Sequence, residues 1–535
     1  MKSEFKYEKL LQYGTDKTKY LKLPGNYISV KKAFGRKFLQ LKPEALSILS
    51  ETAFHDIAYY LRATHLKQLA AILKDKKASD NDRYVAFSLL KNAVISAEGV
   101  LPMCQDTGTA NIIGYKGESI ITGIEDSEAL SRGVFNSYTK NPLRYSQLVP
   151  LSMLEDVNSG SNLPAQIDIS AVPGEEYRFL FVAKGGGSAN KTSFFAETPT
   201  ILNEAALTKF LDEKIPAIGV AACPPYHLSI VIGGTSPELN LKVNKMAAAG
   251  FLDNLPVKGN RSGIGFRDRV WEKKVMEIAE KCGLGAQILG RYFALDARVI
   301  RLPRHAASVH ISIGVSCNAH RNAKGKITED GIYIEALEKN PAKYLKGVSL
   351  KGQETITEID LNRPVAENIK KMSSLRPGAL LSLTGPLVVA RDIAHARLNA
   401  LLERNGKVPD YFKNHFVYYA GPAKTPEGMA SGSFGPTTAQ RMDSYLDSFM
   451  KHGYSLVSLA KGNRSQKVTD SCKKYGGFYL GTIGGAAALV AKENISKSEV
   501  LDYPELGMEA VRKIEVNGMP AFIISDSRGG NLYAQ

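Results

Sequence analysis

Residues 101–110 read Leu-Pro-Met-Cys-Gln-Asp-Thr-Gly-Thr-Ala. The run sets a thiol, a carboxamide, a carboxylate and a hydroxyl side by side, Cys104 to Thr107, and it carries no helical stripe. It reads as a loop bearing chemistry, and the pattern changes on either side of it. Upstream, Glu44 to Lys74 places Leu46, Ile48, Leu49, Ala53, Ile57 and Leu61 near helical spacing and predicts one long helix. Asn81 to Glu98 predicts a second helix that leads into the loop. Downstream, helices and short strands alternate to about residue 335, and Val309-His310-Ile311-Ser312-Ile313-Gly314-Val315 alternates like a strand that delivers Cys317 at its end. Residues 1–40, rich in Lys and Tyr with weak periodicity, read as an irregular arm.

Composition shifts near 336–352, where Glu338-Lys339-Asn340-Pro341 and a Lys/Gly-rich stretch suggest a surface connection. Beyond it the texture is α/β. Leu380–Leu383 is a strand candidate that breaks at Gly385-Pro386, and a helix follows through Arg391 to Leu402. Tyr454–Leu459 is another strand, with Lys461-Gly462-Asn463 as the turn after it. The predicted fold class is mixed α/β: an arm at 1–40, a helix-rich N-terminal domain with mixed sheets at 41–340, a linker at 341–352 and a smaller α/β domain at 353–535.

With 535 residues, 44% hydrophobic and 23% charged, the chain suits a soluble multidomain protein. Lys and Arg number 69 against 53 Asp and Glu, a net charge of +16. The cations are scattered and not interleaved with aromatics, so nucleic acid is not the expected partner, and a small anionic substrate is. No stretch is long and apolar enough to span a bilayer. Met-Lys-Ser-Glu-Phe-Lys-Tyr-Glu-Lys at the start lacks the apolar core of a signal peptide, and the expected location is cytoplasmic.

The five cysteines are too few and too widely spaced for a disulfide framework. Cys282 and Cys472 lie in helical patterns and read as ordinary thiols. Cys104, Cys223 (before Pro224-Pro225) and Cys317 (before Asn318-Ala319-His320-Arg321) each sit at a predicted turn. Thiolates from three loops could bind three irons of a 4Fe–4S cluster and leave the fourth open as a Lewis acid. Spacing alone does not separate this from three unrelated thiols.

Cations form a second group. Arg391 follows Thr384-Gly385-Pro386 and opens a helix. Pro436 suits the first turn of a helix on which Thr437 and Arg441 would share a face, a receptor for a carboxylate. Lys461 follows a strand. Lys184-Gly185-Gly186-Gly187-Ser188 resembles a phosphate loop but lacks the Walker glycine before its Lys191-Thr192 pair; its backbone could still form an anion nest. His305 and His320 are cleft candidates whose commoner role is structural.

Seven ordered motifs carry a family resemblance: Cys-Gln-Asp-Thr-Gly-Thr from 104, Ala-Lys-Gly-Gly-Gly-Ser from 183, Cys-Pro-Pro from 223, Val-Ser-Cys-Asn-Ala-His-Arg from 315, Thr-Gly-Pro from 384, Gly-Pro-Thr-Thr-Ala-x-Arg-Met from 435 and Lys-Tyr-Gly-Gly-Phe-Tyr-Leu-Gly from 474. From about residue 45 onward the chain resembles the class I, iron–sulfur fumarate hydratases. The resemblance implies that Cys104, Cys223 and Cys317 ligate a 4Fe–4S cluster with one open iron. It implies a cleft between an N-terminal α domain and a C-terminal swivel-like domain. Gln105, Asp106, Arg144, Gly187, Arg391, Thr437, Arg441 and Lys461 match substrate positions, and His305 matches a histidine contributed across a homodimer. The implied reaction is reversible hydration of fumarate to (S)-malate, with Thr437 as base toward the C3 proton and Asp106 as acid at the hydroxyl. L-tartrate dehydratase or mesaconase chemistry is the alternative within the same cofactor class, and RNA binding by the cluster-free protein is the alternative from another class.

Overall fold

The computed structural model of the chain describes residues 5–348 and 356–534, so positions 349–352 of the expected linker lie outside the described residues. Three sheets organise the fold. The first has six strands in the spatial order Tyr20–Lys22, Gly331–Glu335, Asn322–Thr328, Tyr177–Lys184, Thr109–Gly117, Gln166–Val172, antiparallel except for the last pair. The helix Glu44–Tyr59 lays Leu46, Leu49, Ala53 and Ile57 on it, in one core with Phe179 and Phe181.

The second sheet has five strands, ordered Ser193–Glu197, Val309–Ser316, Tyr226–Gly234, Ala294–Arg304, Phe266–Arg267. Its central strand, Tyr226–Gly234, is buried at every position, and its two polar side chains, His227 and Ser229, are hydrogen-bonded. The helix Pro237–Ala248 lies between the two sheets, where Val243 and Met246 share a core with Ile113 and Leu180 of one and Val231 and Ile300 of the other.

The third sheet is built beyond residue 356. Leu380–Val389, Val417–Tyr418, Val457–Ala460 and Phe478–Gly481 run parallel, and the 15-residue strand Val511–Ser525 pairs antiparallel with both the first and the last of them. That double pairing closes a five-stranded ring around Leu383, Tyr418, Leu459, Leu480 and Ile514. A further core joins this barrel to the N-terminal helices: Leu66, Leu69, Val85 and Leu89 pack with Val388, Tyr419, Tyr479 and Phe522.

Four sequence expectations change. The expected irregular arm is only partly so: residues 5–19 carry no helix or strand, but Tyr20–Lys22 joins the first sheet, and Ile28–Ala33 and Arg36–Leu41 form a hairpin whose turn residues, Phe34 and Gly35, both have positive φ. The helix expected over 44–74 is two, Glu44–Tyr59 and Ala63–Lys74. No Gly or Pro marks the break; the Arg62 guanidinium pairs with Glu335 at 2.6 and 2.8 Å, and Leu61 bridges to Glu338, so distant contacts pull the chain out of helix. Leu380–Val389 continues through Gly385-Pro386 by a bulge, with Gly385 at φ +118. Pro436 ends a short strand, Phe434–Pro436, instead of opening a helix, and the turn after it is 3-10, Ala439–Met442. Thr437 and Thr438 stay extended because they bond Tyr419 and Lys461 of neighbouring strands.

The helix Asp80–Ser96 agrees with expectation and begins with a capping box between Ser79 and Asp82. Asp82 is fully buried and also accepts backbone N–H bonds from Ala286 and Arg291, each at 3.0 Å, which holds the loop after Gly285. A Cβ on Gly290, at φ +139, would lie 2.3 Å from the Asp82 Oδ2. Asp82→Ala leaves these buried donors without an acceptor, at a cost of about 3 kcal/mol. Denaturant unfolding should show a lower midpoint at unchanged slope; an unchanged midpoint would refute the anchoring role.

Candidate active site

A cleft of about 600 Å³ opens where loops of the barrel face loops of the first sheet. Gln105, Asp106, Arg144, Gly187, Arg391, Thr437, Arg441 and Lys461 all line it. His305 does not; it is exposed on the turn between Ala294–Arg304 and Val309–Ser316. His320 is structural: it is buried and stacks its ring against those of His65 and His227.

The thiols of Cys104, Cys223 and Cys317 meet behind this cleft and are close enough to influence one another electrostatically. Cys223 sits in the left-handed region at φ 66, after the helix Glu204–Ala217. Its loop is tied to the Cys317 loop by Asn318, whose backbone N–H donates to the Cys223 carbonyl at 3.1 Å and whose side-chain amide donates to Pro224 and Gly484 carbonyls at 3.1 and 2.9 Å. Gln287 binds the same two carbonyls. Gly484 is required by close approach, since a Cβ there would lie 2.3 Å from the Cys223 Sγ. Behind Asn318, His65 donates to its carbonyl at 2.8 Å and shares a 2.9 Å bond with His227, which reaches Asp296 at 2.6 Å. Burial and the neighbouring His227 draw the His65 imidazole down to about 3.

The donor set fits a cluster. Among the described residues no three His, Cys, Asp or Glu side chains close around a single ion. A cubane takes one thiolate per iron, so its ligands stand apart by design. Burial raises the Cys104 thiol and pushes that of Cys223 up to about 11. Against this, Lys461 Nζ lies 2.9 Å from the Cys223 Sγ, and Arg321 stands close to Cys104 and Cys317. These cations favour the thiolates that metal ligation needs.

Asp106 is held at several points. Its Oδ2 accepts from the Gly186 N–H at 2.9 Å, and its Oδ1 from Gly108 N–H at 3.1 Å and Ser146 Oγ at 3.4 Å. Burial opposes its ionisation, but Arg144, Arg321, the Gly186 N–H and Lys461 outweigh burial and hold the carboxyl at about 2. The glycine nest at 185–187 thus serves the chain's own carboxylate. Gln105 donates to the Pro436 carbonyl at 3.0 Å, which locks the Cys104 loop to the segment carrying Thr437, and Arg441 Nη2 touches the Thr437 hydroxyl and pairs with Asp392 at 2.9 Å. Arg391 Nε pairs with Glu509 at 2.8 Å. Arg144 differs from both: among the described residues its guanidinium has no ion pair or hydrogen bond, and its Nε is buried without a partner. Burial and the nearby Arg391 draw Arg144 down to about 10.

Sequence reasoning passed over four residues here. Lys184 lines the cleft, donates to the Val315 carbonyl at 2.5 Å, and is pulled down to about 8 by burial; its glycine-rich context drew attention to phosphate instead. Arg321 stood in the quoted Cys317 motif and donates to the Asp106 carbonyl at 2.5 Å. Asp392 and Glu509 had no local signal, since only the fold brings them to the arginines.

A thiol triplet behind a cation-lined cleft, set between a layered α/β half and a closed barrel, is the architecture of a metal-cofactor enzyme acting on a small anion. Family models agree on which one. Residues 48–326 match the model "Fumarate hydratase (Fumerase)", and 331–535 match "Fumarase C-terminus". A class I, anaerobic fumarate hydratase of Escherichia coli is 53% identical over 532 residues, covering 99% of this chain and 97% of that one. Fumarate hydratase 2 of Leishmania major is 52% identical over 521 residues, 97% of this chain and 92% of the relative. A putative L(+)-tartrate dehydratase subunit beta of Methanocaldococcus jannaschii is 32% identical over 182 residues, 33% of this chain and 92% of the relative. The chain belongs to the class I fumarate hydratases.

A half-buried guanidinium whose buried Nε has no partner costs stability, and a cleft that keeps one has traded stability for binding. Arg144→Met should raise the thermal midpoint of the substrate-free protein, by about 1 kcal/mol of added stability, while weakening binding of succinate, an inert dianion, at least about tenfold. A lowered midpoint with unchanged succinate binding would show that Arg144 is structural.

Proposed function

We propose that this chain hydrates fumarate reversibly to (S)-malate in the cleft between 41–340 and 353–535, with Cys104, Cys223 and Cys317 holding a 4Fe–4S cluster. The observation that carries the reading is the joint presence of three neighbouring thiols, Cys223 among them buried, and a guanidinium without an ion pair, Arg144, at one cleft. Bound there, the cluster would supply a Lewis acid at its open iron for the substrate oxygens.

The chain's own residues account for the remainder. Fumarate and malate are dianions; Arg144 would take one carboxylate, and Arg391 with Arg441 the other. Lys461 and Gln105 would fix the hydroxyl-bearing end near the thiols. In hydration, the Asp106 carboxylate takes a proton from the water whose oxygen bonds to C2. The Thr437 hydroxyl delivers its proton to C3. In dehydration both protons run back, with Thr437 as base and Asp106 as acid. A threonine alkoxide needs strong stabilisation, and Arg441, in contact with its oxygen, supplies the nearest positive charge. His305, exposed outside the cleft, reads as a residue presented to a second copy in a homodimer.

The L-tartrate dehydratase alternative draws on a match to about a third of the chain, whereas relatives at 52–53% identity span almost the whole of it. Initial rates with fumarate, tartrate and mesaconate separate the readings.

After anaerobic reconstitution with iron and sulfide, loss of the ultraviolet absorbance of fumarate should appear with the wild-type chain. Thr437→Ala and Asp106→Asn should each retain the iron and lose about 10²–10⁴-fold in kcat. No hydration by the iron-loaded wild type would overturn the function. Near-normal turnover by either variant would overturn that residue's role.

A further inference from the structure

Arg391 and Glu509 lie far apart in the chain and are brought together by the barrel's register. Leu380–Val389 pairs antiparallel with Val511–Ser525, and Val389 faces Arg512. Continued past the ladder, that register carries Arg391 and Glu509 to the same rim of the ring, at the mouth of the cleft. Arg391 then opens the helix Asp392–Asn405, and Glu509 ends the turn Pro504–Glu509.

Their contact is one-sided. Glu509 Oε1 forms an ion pair with the Arg391 Nε at 2.8 Å, with both side chains largely buried, while the Nε–H hydrogen bond itself goes to Asp392. Asp392 approaches the same Nε at 3.4 Å and belongs mainly to Arg441, at 2.9 Å. Neither Nη of Arg391 donates to any group among the described residues. A guanidinium binds a carboxylate best through two parallel N–H groups, and the Nη pair is such an edge. Glu509 therefore holds the arginine by its stem and leaves the fork free. Gly421 makes room for this placement: a Cβ there would lie 3.3 Å from Arg391 Nη1 and 3.2 Å from the Met508 carbonyl. The second oxygen of Glu509, Oε2, is buried and has no partner. A carboxylate with a bare buried oxygen is not placed there for its own stability.

We propose that Glu509 is a positioning residue for substrate binding: it fixes the Arg391 guanidinium by its Nε so that the Nη edge faces the carboxylate of the dianion. The inference rests on the dicarboxylate reading above. The opposing possibility is that Glu509 competes with the substrate for Arg391. The two differ in sign, because a support strengthens dianion binding and a competitor weakens it.

Succinate binding to the reconstituted enzyme, by calorimetry, reads this sign directly. Glu509→Ala should weaken succinate about tenfold, and Glu509→Gln, which keeps an oxygen beside Nε and loses the charge of the ion pair, about threefold. KM for fumarate should rise in step, with kcat changing less than about twofold. In an Arg391→Lys background, which has no Nε, both effects should shrink below about twofold. Succinate binding within about twofold of wild type in Glu509→Ala, or an undiminished effect in the Arg391→Lys background, would overturn the inference. If Glu509→Ala does not fold, tighter binding by Glu509→Gln than by wild type would do so, by making Glu509 a competitor. Failure of the wild type itself to hydrate fumarate would instead overturn the function, so the two failures are distinguishable.

Discussion

A lysine ammonium from the barrel, Lys461, lies 2.9 Å from the sulfur of Cys223 from the N-terminal half. The remainder of the site depends on that contact. A buried cation needs a negative partner, and a buried thiol needs a cation before it can give up its proton. Neither group is stable in its working form without the other, so docking of the barrel on the N-terminal layers and preparation of the thiols are one event. The backbone around them serves this meeting. Asn318 and Gln287 tie the Cys223 loop, the Cys317 loop and Gly484 together through the same two carbonyls, and Gly484 has no Cβ because the sulfur occupies that space.

The cleft in front of the thiols is preorganised and deliberately unbalanced. Asp106 is locked as a carboxylate by the glycine nest and by Arg321 and Arg144. Arg391 and Arg441 are steadied by ion pairs with acidic neighbours from the barrel rim, whereas Arg144, though near Asp106, makes no ion pair or hydrogen bond through its guanidinium among the described residues. In the proposed binding mode a dianion would supply charge at Arg144 and meet the free edge of Arg391, so that binding energy would come from cations already set in place, in keeping with preorganised electrostatics as a main source of rate.

How far the sequence revealed this differs by residue. Cys104, Gln105 and Asp106 were legible because their chemistry is local and dense. The helices at Asp80–Ser96 and Asp392–Asn405 were legible because caps and periodicity are local as well. Three features were not. The break at Tyr60–Arg62 is imposed by Glu335 and Glu338 from the far end of the N-terminal half. The barrel closes because one long strand pairs with two others, a fact of register that no local pattern announces. The extended backbone at Thr437 is held by Tyr419 and Lys461, so a proline that suits a helix start ends a strand. Glu509 belongs with these: its meaning comes from the strand pairing that carries it to Arg391.

In the proposed site, three cysteines hold a cluster one protein ligand short, facing a receptor for a dicarboxylate. The most direct measurement is a Mössbauer spectrum of the chain reconstituted anaerobically with enriched iron, recorded with and without malate. One iron site of the four should respond to malate while the other three do not, and Arg144→Met should abolish the response at the same malate concentration. Four sites indifferent to malate in the wild-type protein would contradict the proposal.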